Sequence, residues 1–81
     1  MITIERAQTG VRIEKRMLKV LKALAEHMDM SLGELIECIV LHAFDDKKVF
    51  GATTLGKIEK LRSVYELSLT ADDAHTLEEP T

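Results

Sequence analysis

The chain has 81 residues, 46% of them apolar, with four glycines, one proline, one cysteine and no tryptophan. It is too apolar for a wholly disordered chain, and too rich in Leu, Ile, Val, Ala and Met and too poor in aromatics for a sandwich or barrel. A lone cysteine excludes a disulfide within the chain, and the net charge of −3 argues against nucleic acid only until its distribution is read.

That distribution is uneven. Residues 1–25 hold six basic against two acidic side chains and residues 26–81 hold five against twelve, so the first part carries +4 and the rest −7. A basic face on an acidic body suits an anionic partner. Glu5 and Arg6 stand where a secretion signal needs an apolar run, and no run approaches membrane-spanning length, so a cytoplasmic protein is expected. A core of this size without disulfides is marginal alone, and a second copy of the chain is the expected remedy.

From Arg6 to Ile13 the residues alternate, Ala7, Thr9, Val11 and Ile13 on one parity and Arg6, Gln8, Gly10 and Arg12 on the other. Period two predicts a half-buried strand at about 8–13. A single strand leaves a row of backbone donors and acceptors unpaired, so its expected partner is the same strand of a second copy. Such a dimer ribbon buries Val11 and Ile13 from both chains and turns Arg12 outward.

A first helix is expected at about 15–28, with Met17, Leu18, Leu21, Leu24, Ala25 and Met28 on one stripe and Lys15, Arg16, Lys19, Lys22 and Glu26 off it. Ser31-Leu32-Gly33-Glu34 reads as a capping box that starts a second helix at 32. Its expected buried stripe is Leu35, Ile36, Ile39, Val40, Ala43 and Phe44, and Asp45-Asp46, a lysine pair and Gly51 mark its end. Thr53 or Thr54 can cap a third helix at about 55–67, with Leu55, Ile58, Leu61, Val64 and Tyr65 on one face. Residues 70–81 read as an acidic, disordered tail. The chain thus divides into 1–46, 47–69 and 70–81.

The order of strand, basic amphipathic helix, short turn and Ser-capped helix resembles the ribbon-helix-helix family of small DNA-binding repressors, the Arc and methionine-repressor superfamily. Thr9-Gly-Val-Arg-Ile13 looks like its strand, Met17 to Met28 like its first helix, and Asp29 to Ile36 like its turn and second-helix entry. The resemblance covers roughly residues 8–44 and implies a mostly α intertwined homodimer with a two-stranded antiparallel ribbon, here extended by a third helix. It also implies that the ribbon enters the major groove, with Gln8, Gly10 and Arg12 at the base-reading positions. Arg can pair two-pronged with guanine and Gln with adenine. Arg6, Lys15, Arg16 and the helix start at Ser31 and Leu32 are the implied phosphate contacts. Three positions depart from the pattern: Asp29 for a turn Gly, Glu14 for a strand-ending Pro, and Gly33 for a frequent Ser or Thr. A plainer reading makes Gln8, Gly10 and Arg12 the solvated side of a strand and gives Ser31 and Glu34 wholly to capping.

Cys38 and His42, four apart on one helix, could share a metal, but two ligands are too few and a small core cysteine is the better reading. No cofactor is expected. With no glycine-rich phosphate loop and no nucleophile triad, an enzyme is not expected either. The expected function is sequence-specific double-stranded DNA binding as a homodimeric transcriptional regulator. The alternative is a protein-binding module or antitoxin, with the third helix and acidic tail engaging a partner protein.

Overall fold

The structure, a computed structural model, describes residues 1–80, and Thr81 of the expected acidic tail lies outside them. Three helices of equal length follow one another: α1 Lys15–His27, α2 Leu32–Phe44 and α3 Ala52–Val64, with a short 3₁₀ helix at Ala71–Asp73. α1 is the centre, packing against α2 on one side and α3 on the other, while α2 and α3 do not pack together. No helix among the described residues is long and apolar enough to cross a membrane.

Local chemistry sets the helix ends. Glu14 caps α1, its carboxylate accepting the Met17 N–H at 2.8 Å. The Ser31 hydroxyl accepts the Glu34 N–H and the Glu34 carboxylate accepts the Ser31 N–H, both at 3.1 Å, so the expected capping box starts α2. α3 starts at Gly51 without a side-chain cap, one turn earlier than Thr53 and Thr54 suggested, which places both threonines inside its first turn. All three helices end in the same paired motif, in which backbone N–H groups reach back to carbonyls three and five residues earlier: Asp29 to Glu26 and Met30 to Ala25, Asp46 to Ala43 and Lys47 to His42, Glu66 to Ser63 and Leu67 to Arg62. The motif needs a left-handed residue, and Asp29, Asp46 and Glu66 hold φ of 60°, 54° and 56°. No glycine occupies any of the three positions.

The expected ribbon-helix-helix architecture is not what the chain forms. Residues 1–14 have no regular secondary structure, and no strand occurs among the described residues. A strand exists through hydrogen bonds to a neighbouring strand, and the alternation at 6–13 meets no second extended segment to pair with. Residues 1–14 are instead an arm. Val11, assigned to the buried side of a dimer ribbon, is 72% exposed. Ile13 is half-buried, in a groove shared with Leu18 of α1 and Leu77 of the C-terminal segment.

The core is correspondingly small. Leu24, Ala25 and Leu35 are its buried members, with Leu21, Met28, Met30, Ile39, Phe50, Ile58 and Leu61 packed around them. Val20, outside the expected stripe, is buried as well, because α1 is covered on two flanks and needs a wider apolar face. Of the stripe expected on α2 only Leu35 is buried, and Val40, Ala43 and Phe44 are exposed. α3 completes the core through Ile58 and Leu61.

Candidate nucleic-acid interface

The cations of the first 25 residues fall into two groups. The arginines are all engaged. Arg6 on the arm donates through Nε and Nη2 to both carboxylate oxygens of Glu37 on α2, at 2.8 and 2.9 Å. Arg12 makes the same side-on, two-pronged contact with Glu79 near the C-terminus, its Nε 3.1 Å from one oxygen. Arg16 donates Nε to Glu14 at 2.8 Å and Nη1 to the Glu66 carbonyl at 3.0 Å, which ties the start of α1 to the turn after α3. The arginine contacts hold the Glu37 and Glu14 carboxyls below the usual carboxylate range, Glu14 also through the N–H it caps. Glu14, which replaces the expected strand-ending proline, is therefore a helix cap and an ion-pair partner at once.

The lysines differ. Lys15, Lys19 and Lys22 of α1 are exposed, and no carboxylate among the described residues lies within ion-pairing distance of them. Spacings of four and three put them on one helix face, where they span about 10 Å, the axial rise of about three base pairs. Lys15 belongs to the expected phosphate set. Lys19 and Lys22 do not, although their i, i+4, i+7 spacing is visible in the sequence.

The other expected contacts scatter. Gln8, Gly10 and Arg12 are all exposed on the arm, and a Cβ at Gly10 would meet open space. Ser31 and Leu32 stand at the start of α2, but the Ser31 N–H is already taken by Glu34. That bond, with a second from the Ser31 hydroxyl, holds the Glu34 carboxyl below its usual range, and Glu26 and Asp29 border the same recess beside Lys22. Three carboxylates around one lysine make this helix start a poor seat for phosphate. On α2, His42 Nδ1 lies 2.7 Å from the Cys38 carbonyl and 3.7 Å from the Cys38 Sγ. Among the described residues no three potential metal ligands come together.

A separate feature lies on the outer side of α2. Ile36, Val40, Ala43 and Phe44 share one face at helical spacing, Phe44 is 80% exposed, and Leu41 beside them is 64% exposed. Glu37, strapped by Arg6, borders this face. Compared with known proteins, the chain matches no family model, no curated protein and no solved structure, and its own residues carry the functional reading.

Proposed function

We propose that the chain binds double-stranded DNA as a homodimer and acts as a small transcriptional regulator, with the α1 lysine stripe and the arm meeting the DNA and the outer face of α2 joining the copies. The observation that carries this reading is the division of labour among the cations. Every arginine of the basic third is bound within the chain, whereas Lys15, Lys19 and Lys22 stand in one line without an ion-pair partner among the described residues. Unpaired cations in line are what a phosphate backbone rewards, since each contact releases a condensed counterion. Gln8 on the arm adds an exposed side chain able to meet a base edge.

Self-association is supported by area. The chain exposes 7213 Å², against about 4,900 Å² expected for a folded chain of its size. Its radius of gyration is 13.9 Å, against about 11.7 Å for a compact domain of this length. The excess, roughly 2,300 Å², is comparable to what each chain of an obligate dimer buries, and exposed large apolar side chains lie both on the arm and on the outer face of α2. Two copies joined through α2 would also bring two lysine stripes to one ligand.

The test is fluorescence anisotropy of the full chain on a 20-base-pair duplex over a salt series, with sedimentation of the same sample. A dimer whose log affinity falls linearly with log salt supports the reading, and a folded dimer that retains no duplex at 50 mM salt overturns the DNA assignment. The exposed α2 face favours one second reading, the protein-binding module or antitoxin. A folded monomer at micromolar concentration would turn that face over to a different protein.

A further inference from the structure

The C-terminal segment lies on the arm. Leu77 shares with Val11, Ile13 and Leu18 a groove of about 720 Å³, and from the same groove Glu79 reaches Arg12 across 67 positions of sequence. Glu79 offers Arg12 two oxygens side by side, which is the geometry in which a guanidinium grips a phosphate or a guanine edge. Both side chains are largely exposed, 83% for Arg12 and 64% for Glu79, so solvent and salt screen the pair and it can exchange.

We propose that residues 77–80 act as an internal competitor, holding Arg12 with the Glu79 carboxylate and walling one side of the arm groove until a phosphate backbone displaces them. This rests on the DNA-binding reading above and adds its regulation. The tail meets the arm at two places, the Glu79–Arg12 pair and the groove, whose wall Leu77 forms together with Val11, Ile13 and Leu18. A ligand carrying many phosphates gains from the lysine stripe as well as from Arg12 and so displaces the tail. An isolated anion meets Arg12 alone and does not. The tail thereby raises the threshold for binding and sharpens the preference for polyanions over small anions.

The experiment measures duplex affinity of the full chain and of three variants, Glu79→Gln, Glu78→Gln and Leu77→Ala, at 100 mM salt. Glu79→Gln and Glu78→Gln change the net charge equally, but only Glu79 touches Arg12. Leu77→Ala changes no charge. Glu79→Gln is expected to tighten binding by about two- to five-fold, the range an exposed ion pair supports, with a gain in the same direction for Leu77→Ala and a smaller one for Glu78→Gln. Equal gains for the two glutamine variants with none for Leu77→Ala would reduce the effect to overall charge and overturn the proposal. Duplex binding by wild type with no gain in any variant overturns it too. Absence of binding by all four proteins at low salt would instead remove the DNA-binding reading, and the competitor with it.

Discussion

Arg6 and Glu37 stand 31 positions apart in the sequence and meet in parallel, guanidinium against carboxylate, at 2.8 and 2.9 Å. The pair straps an arm without secondary structure to the second turn of α2, at the border of its exposed apolar face. Glu37→Gln is expected to release the arm, lowering the backbone NMR order parameters over residues 1–10 while leaving the thermal midpoint nearly unchanged, because a solvent-exposed pair contributes little stability. Unchanged order parameters in the variant would show that other contacts hold the arm.

The α2 face gives a sharper test, because its residues do almost nothing for a single chain. Phe44 is exposed, so Phe44→Glu should alter the stability of an isolated chain by less than about 0.5 kcal/mol. In a dimer joined through this face the same change buries charge at the interface. Sedimentation is expected to show a dimer for wild type and a monomer for Phe44→Glu. The thermal midpoint should depend on concentration only in wild type.

The lysines should divide by surroundings. Lys15→Gln and Lys19→Gln are each expected to lower the salt slope of duplex binding by about 0.9, the change for one phosphate that is no longer neutralised. Lys22→Gln should do less, because Glu26, Asp29 and Glu34 border the recess it lines. Equal effects at all three positions would mean that the acidic recess does not reach the interface.

Each helix ends on a left-handed residue that is not glycine. Glu66→Gly is expected to stabilise the fold by about 0.5–1 kcal/mol in denaturant unfolding, since glycine adopts φ near 56° without a Cβ penalty. The gain at Asp29→Gly should be smaller, because aspartate tolerates this region better than glutamate does.

Acid should loosen two helix starts. Arg16 and the Met17 N–H lower the Glu14 carboxyl, and the Ser31 N–H and hydroxyl lower that of Glu34. Folding therefore favours the ionised form of both groups. Their contribution is complete above the ordinary carboxylate range and is lost as pH falls through the lowered values. Circular dichroism followed down to about pH 2, below the ordinary carboxylate range, should show helix lost in that window, and Glu14→Gln should weaken neutral-pH stability while flattening its acid dependence. Ser31→Ala should cost about 1 kcal/mol.

What the sequence determined by itself is local. The capping box at Ser31 and Glu34 was legible because it involves residues three apart, and α1 and α2 begin where periodicity and capping put them. Asp29 in the left-handed region after α1 follows from the same short-range chemistry. Glu14 is not legible as a cap because glutamate is not among the usual capping residues. The strand expected at 8–13 does not form for a different reason: alternation specifies which side chains share a face, not whether a second backbone is present to pair with. Tertiary structure decided the rest. Only packing reveals that α1 is covered on two flanks, so that Leu35 is the one buried residue of the α2 stripe and Phe44 is left in solvent. Only the fold brings Arg6 to Glu37 and Arg12 to Glu79, across 31 and 67 positions. A chain can announce its caps and helical faces through neighbours three and four residues away, but charges brought together by chain reversal have no periodic signature, so the pairing of the arginines and the freedom of the lysines became visible only in three dimensions.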